Sequence, residues 1–230
     1  MEAIVLAGGF GTRLRQIVSD VPKPMAPIVD RPFLEILLTN LAVHGFTRVI
    51  LALGYMADKI INHFGDSFSG MQLIYEIEDQ PLGTGGAVRL AIAQCLEDHV
   101  FVFNGDTYLD LEIDKVELQW QQYKQPIMVA RKVDDTARYG RLELNENQIV
   151  GFLEKGLSGQ GLINAGTYVL PTSILDDFQI GQTFSLETDF FIPFVKQDRL
   201  DVFITDGNFI DIGIPEDYML AQTLLVNVGK

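Results

Sequence analysis

The sequence holds one cysteine, Cys95, and three histidines. A single thiol excludes an internal disulfide framework and fits a reducing compartment. Cys95 lies in an apolar helical pattern and reads as a small buried hydrophobe. His44 and His63 fall at helix ends and His99 precedes a strand, so neither a histidine metal cluster nor a Ser-His-Asp system has support. No apolar run approaches the roughly 18 residues that a membrane span needs. Nor does the start of the chain carry a charged segment followed by an apolar one. The expectation is a soluble, cytoplasmic protein with no membrane partner. Cations are scarce too: 17 lysines and arginines against 31 acids leave a net charge of −14. That balance argues against nucleic acid as the main partner, because a phosphate backbone requires a basic stripe. A nucleotide stays open, since a few local cations and a divalent metal overrule the global field.

What is there is enough apolar material for a substantial core: 47% of 230 residues are hydrophobic, compatible with one large α/β domain over residues 1–230. Strand-like and helix-like patterns alternate through the first half. Ala3–Ala7, Arg48–Leu53, Met71–Ile77 and Val100–Asn104 read as strands. Pro32–His44, Ala57–Phe64 and Gly85–Leu96 read as helices, the first capped by Asp30 and closed by Gly45. This βαβ rhythm predicts a Rossmann-like, mostly parallel mixed sheet with helices on both faces, a three-layer sandwich. In the second half, Ile127–Lys132, Arg141–Leu144, Ile149–Glu154 and Ile163–Leu170 read as strands, and Leu186–Val195 as a helix. Asp201–Thr205 and Asn208–Ile212 form an expected hairpin around Asp206-Gly207. Pro215 opens a closing helix whose dipole Glu216 and Asp217 favour.

The first strand empties into Ala7-Gly8-Gly9-Phe10-Gly11-Thr12-Arg13-Leu14. Glycines there let backbone N–H groups approach a ligand and form a nest for phosphate oxygens. Arg13 and Lys23 add cations, the arginine with a fork suited to phosphate. A Walker loop is excluded because no Lys-Ser or Lys-Thr follows the glycines. A dinucleotide fingerprint fails because Leu14 stands where its third glycine belongs. Read alone, the glycines also fit a tight turn, the lesser of the two readings, and the cations an ordinary solvated surface. Asn104-Gly105-Asp106 ends a strand, at the carboxyl edge where open α/β sheets hold ligands. Asp106 there is either a hard oxygen ligand for Mg²⁺ or a turn residue. Asp211, between isoleucines and before Gly213 and Pro215, is a helix-start residue or a buried ligand.

Gly8-Gly9-Phe10-Gly11-Thr12-Arg13-Leu14 followed by Pro22-Lys23-Pro24-Met25 resembles the signature of the sugar-1-phosphate nucleotidyltransferases. Gln16 replaces a proline common there, with no charge lost. The resemblance implies a glycosyltransferase-A-like nucleotidyltransferase fold. Residues 1–110 would mainly bind the nucleotide and residues 111–230 mainly the sugar phosphate. It implies an NTP over Leu6, Ala7, Gly8, Gly9, Gly11, Thr12 and Arg13, with the base against the loop of Gln80, Pro81, Gly83 and Thr84, and Gly105 also on the nucleotide. Gln80 and Glu76 are side chains able to reach a base edge. Arg13, Lys23 and Asp106 would be catalytic, and Asp106 with Asp211 would hold Mg²⁺. Phe152-Leu153-Glu154-Lys155 resembles the Glu-Lys of the sugar site, and Asn164-Ala165-Gly166 its Asn-x-Gly. Tyr139-Gly140 resembles a Tyr-Gly beside the sugar, although Arg141 replaces the usual aliphatic residue. The sugar-phosphate set is thus Lys23, Tyr139, Gly140, Glu154, Lys155, Asn164 and Gly166. Phe184-Ser185-Leu186-Glu187-Thr188-Asp189 reads as a helix start.

Over its length the chain resembles the heptose 1-phosphate guanylyltransferases of that family. This implies GTP and D-glycero-α-D-manno-heptose 1-phosphate as substrates and a GDP-heptose for surface polysaccharide. The base and the sugar stay open, with UTP, CTP or dTTP and another sugar as alternatives. A non-catalytic sugar-nucleotide-binding homologue is disfavoured because Arg13, Lys23, Asp106, Lys155 and Asp211 occur together. No hexapeptide repeat follows Asp211, so the carboxyl-terminal β-helix of many relatives is not expected. A homodimer is compatible with exposed apolar sheet edges or helix faces.

Overall fold

In the computed structural model, which describes residues 1–9, 11, 14, 18, 20–226 and 228, successive strand residues divide between two cores. Ala3 and Val5, Val49 and Leu51, and Phe101 and Phe103 face one; Ile4, Ile50, Ala52, Val100 and Val102 face the other. Strands apolar on both sides need cover on both sides. The first half of the chain supplies β1 (Glu2–Leu6), β2 (Pro27–Ile28), β3 (Arg31–Pro32), α1 (Phe33–Val43) and β4 (Arg48–Leu53). It continues with α2 (Ala57–Phe64), β5 (Ser67–Phe68), β6 (Met71–Ile77), α3 (Gly83–Ile92) and β7 (His99–Asn104). Next come β8 (Thr107–Leu109), α4 (Ile113–Tyr123), β9 (Ile127–Val133), β10 (Arg141–Asn145), β11 (Gln148–Leu153) and β12 (Gly161–Pro171). A π-helix (Leu186–Phe191), α5 (Ile192–Phe194), β13 (Asp201–Thr205), β14 (Phe209–Asp211) and α6 (Pro215–Leu224) complete the series.

One ten-stranded sheet runs β10-β11-β13-β9-β12-β7-β1-β4-β6-β5. The run β7-β1-β4-β6 is parallel, as the βαβ rhythm requires, whereas β12 lies antiparallel to both β7 and β9. The sheet is therefore mixed, parallel under the first half and largely antiparallel under the second. Residues of α1, α2 and α4 cover one face; α3 and the π-helix cover the other. A third small core of Phe33, Tyr108, Ile210, Ile212 and Tyr218 packs α6 against β8 and β14. Among the described residues no helix is long and apolar enough to cross a membrane.

Four local expectations change. The Asp206-Gly207 hairpin does not form: β13 pairs with β9 in the main sheet, while β14 leaves it to pair with β8. Asp110 N–H donates to Asn208 O, holding the crossing segment against β8. Asp30 does not cap α1, whose N-cap is Pro32 with no side-chain hydrogen bond. The helix expected over Leu186–Val195 is mostly a π-helix, opened by Ser185, whose side chain accepts from Thr188 N–H. Helix α4 was not anticipated, because only Ile113, Val116 and Trp120 of its polar sequence are buried. Cys95 is half-buried and burial pushes its thiol up to about 12, which leaves it an inert packing residue.

Candidate active site

Strands β1 and β7 are parallel neighbours, so their carboxyl ends, Leu6 and Asn104, lie side by side. The segments leaving these strands and the β6–α3 connection surround a cavity of about 290 Å³. Leu6, Ala7, Gly8, Gly9, Lys23, Pro81, Gly83, Thr84 and Asp106 line it, together with Pro24, Glu78 and Asn104. A second cavity of about 300 Å³ is lined by Tyr139, Gly140, Lys155, Asn164, Gly166 and Asp211, with Thr107, Tyr168 and Glu187 among the others. Leu6, Thr84 and Asn104 line both, so the two form one continuous cleft.

Lys23, Asp106 and Asp211 meet at the junction. Lys23 heads a short 3-10 turn, Lys23–Met25, closed by Met25 N–H donating to Pro22 O. The flanking prolines fix the backbone of this turn. Gly11, at φ +57°, leaves room for the lysine stem: a Cβ there would stand 2.8 Å from Lys23 Cβ. Lys23 Nζ lies 2.5 Å from Asp106 Oδ2 and 3.6 Å from Asp211 Oδ1. The two aspartates are distant in sequence, and the β8–β14 pair brings them together: Asp211 is opposite Thr107, and Ile212 N–H donates to Asp106 O. Gly213 N–H donates to Asp211 Oδ1 at 2.7 Å. Burial raises the Asp211 carboxyl above the ordinary carboxylate range and the Asp106 charge raises it further, while Lys23 opposes both. Two adjacent carboxylates that repel one another suit a hard divalent cation that also takes phosphate oxygens. Among the described residues no cluster of three or more metal-ligating side chains exists, so such an ion would draw its remaining ligands from substrate and water.

The residues expected on the sugar side are braced differently. Asn164 Oδ1 accepts from Gly166 N–H at 2.9 Å and its amide donates to Tyr168 Oη at 2.9 Å. Gly166, at φ +71°, stands so close to Asn104 that a Cβ would meet its amide nitrogen at 2.3 Å. Lys155 is exposed at the cavity wall. Four expected residues lie apart from either lining: Gly11, Gln80, Glu154 and Gly105. Gly105 N–H donates instead to Leu6 O, joining the ends of β7 and β1. Glu76 accepts from the Gln94 amide rather than facing the cleft. Thr12 and Arg13 lie outside the described residues.

A family model for nucleotidyl transferases matches residues 2–227. The chain belongs to the nucleotidyl transferase family. A D-glycero-α-D-manno-heptose 1-phosphate guanylyltransferase of Aneurinibacillus thermoaerophilus is 40% identical over 223 residues, 96% of this chain and 97% of the relative. One of the same name from Campylobacter jejuni is 41% identical over 219 residues, covering 95% and 97%. The crystal structure of HddC from Yersinia pseudotuberculosis complexed with GMP-PN is 38% identical with a TM-score of 0.85, covering 96% of this chain and 97% of that one.

In this nucleotidyl transferase, several cleft residues escaped sequence reasoning. Glu78 lines the first cavity and accepts from Leu82 N–H at 2.9 Å, and burial raises its carboxyl. Its only signal was its place one residue beyond β6, a position it shares in character with Glu76. Asn104 was visible as the neighbour of Gly105-Asp106. Glu187 was legible only as part of a helix start, since nothing local says which way that turn faces.

Proposed function

We propose that this nucleotidyl transferase moves GMP from GTP to D-glycero-α-D-manno-heptose 1-phosphate, giving the GDP-sugar and pyrophosphate. The observation that carries the reading is the continuous two-cavity cleft with Lys23, Asp106 and Asp211 at its junction. The names of relatives at 40% and 41% identity support this choice of substrates. Glu78 supports guanine: one carboxylate oxygen is taken by Leu82 N–H, and the other, with no hydrogen bond to a described residue, can accept from the N–H edge of that base.

In this reading the first cavity, built mainly from the amino-terminal half, takes the nucleotide, and the second takes the sugar phosphate. A sugar-phosphate oxygen, already ionised at neutral pH, attacks the α-phosphorus. The bond from that phosphorus to the β-bridging oxygen breaks, and pyrophosphate leaves with its electron pair. No protein base is required. The chain contributes positioning and charge neutralisation, with Lys23 at the junction and Lys155 at the sugar-phosphate wall. Arg13 joins them on sequence grounds alone. Asp106 and Asp211 would hold Mg²⁺, which when bound neutralises triphosphate charge and polarises the phosphoryl oxygens. The test is pyrophosphate release with GTP, UTP, CTP, dTTP and ATP crossed against heptose, mannose, glucose and N-acetylglucosamine 1-phosphates. Preference for GTP with the heptose is the expected result. UTP with a hexosamine would reject these substrates within the same reaction, and no release from any pair would reject nucleotidyl transfer.

A further inference from the structure

Asn164, Tyr168, Gly140 and Glu187 are among the residues that line the second cavity. Asn164 and Tyr168 are hydrogen-bonded to each other, and Asn164 also holds Gly166 N–H. The Glu187 carboxylate differs. It is half-buried, stands 3.8 Å from where a Cβ on Gly140 would be, and has no hydrogen bond or ion pair with any described residue. A carboxylate partly removed from water without donors carries a desolvation cost that ligand hydroxyls would relieve.

The backbone beneath it is rigid. Ser185 N–H donates to Asp189 Oδ2 at 2.7 Å and Thr188 N–H to Ser185 Oγ at 3.2 Å. Leu186, Phe190 and Phe191 are buried in the core below. Leu186 N–H donates to Thr84 Oγ1 at 3.0 Å, tying this turn to a residue that lines both cavities. The turn is π-helical, a rare geometry that recurs at functional sites. Glu187 thus reaches the cavity from a turn held by the hydrogen bonds of Ser185, Leu186, Thr188 and Asp189. Glu154, the acid that the sequence pattern offered for sugar hydroxyls, is exposed and outside the lining.

We propose that Glu187 is a specificity-determining residue whose carboxylate accepts hydrogen bonds from hydroxyls of the sugar 1-phosphate. This rests on the nucleotidyl-transfer reading above. A carboxylate offers two acceptor oxygens and matches a pair of neighbouring hydroxyls, while Lys155 serves the phosphate at the same cavity.

The test measures pyrophosphate release by the wild-type protein, Glu187→Gln and Glu187→Ala, varying D-glycero-α-D-manno-heptose 1-phosphate at saturating GTP and then GTP at saturating sugar phosphate. Losing hydrogen bonds to a charged acceptor is expected to raise the KM for the sugar phosphate roughly 10- to 100-fold in Glu187→Ala and less in the isosteric Glu187→Gln. The KM for GTP should stay within about twofold, the split that a merely structural role would not produce. Three results overturn the proposal: an unchanged sugar KM in both variants, an equal rise for both substrates, or loss of sugar affinity in Glu154→Gln with none in Glu187→Gln. Wild-type protein that releases pyrophosphate from no substrate pair defeats the underlying reading instead, so the two failures are distinguishable.

Discussion

The Lys23 ammonium lies 2.5 Å from Asp106 Oδ2, with only 11% of the lysine side chain exposed. This pair, with Asp211 at 3.6 Å, makes the junction of the cleft a single electrostatic unit. Lys23→Met keeps the stem and removes the charge, leaving Asp211, whose carboxyl burial and the Asp106 charge already raise, without the cation that opposes both. If the ammonium also stabilises charge on the transferring phosphate, turnover should fall roughly 100- to 1,000-fold. Pyrophosphate release under saturating substrates measures this, and turnover within about tenfold of wild type would remove Lys23 from the catalytic step.

In the proposed guanine reading, Glu78 links base choice to stability. In Glu78→Gln the amide oxygen can keep the Leu82 N–H bond, which turns the amide N–H₂ toward the base. A donor would then face guanine donors, and the KM for GTP should rise by about tenfold or more. The stability effect has the opposite sign. Burial raises the Glu78 carboxyl in the folded protein, so its contribution to stability is fully present below the ordinary glutamate range and is lost as pH rises through the folded value. Glu78→Gln lacks that loss, and its melting temperature should gain on wild type as pH rises from about 4 toward neutrality. Melting curves at several pH values, in the absence of nucleotide, check the sign.

How much of this was legible beforehand depends on the range of the interactions. The parallel half was readable because strands such as Arg48–Leu53 and helices such as Ala57–Phe64 announce themselves by local periodicity. The loops after β1 and β7, with Gly8 and Asp106, were readable from the same signal. The meeting of Asp106 with Asp211 needed the β8–β14 pairing, which no local pattern specifies and which the apparent Asp206-Gly207 turn disguised. Glu78 and Glu187 were hidden for a related reason. Each is an acid among other acids, and only the packing of Leu82 against Phe184 and of Leu186 against Thr84 decides which of them faces the cleft.

The segment carrying Tyr139 and Gly140 is fastened to α6 through Arg138, whose guanidinium reaches Asp217 at 2.7 and 3.5 Å. Tyr139 also meets Phe209 edge-on, with ring centres 6.2 Å apart. Arg138 is half-exposed, and exposed ion pairs contribute about 1 kcal/mol at most. Asp217→Asn is therefore expected to raise the sugar-phosphate KM only a few-fold, about fivefold at the upper end, with the GTP KM unchanged. High salt should weaken wild-type sugar binding in the same direction and affect the variant less. Equal salt dependence in both proteins would rule out the fastening.

Gly105 and Gly9 separate two reasons for a glycine at the cleft. A Cβ on Gly105 would stand 2.6 Å from Leu6 O, the acceptor of its own N–H, so Gly105→Ala must push apart the ends of β1 and β7 or break their hydrogen bond. Overpacking of that kind costs about 1–3 kcal/mol, a fall in melting temperature of roughly 2–12 °C for a chain of this size. Among the described residues none comes within 4 Å of a Cβ on Gly9, yet it lines the first cavity. Gly9→Ala should melt within about 1 °C of wild type, since a surface change without strain is worth little. Its methyl group would project where the proposed triphosphate lies against the backbone, so the KM for GTP should rise while the fold is untouched. Melting and kinetics together decide the matter. If Gly9→Ala destabilises the protein and leaves GTP binding alone, the loop after β1 is a structural turn and not a phosphate cradle.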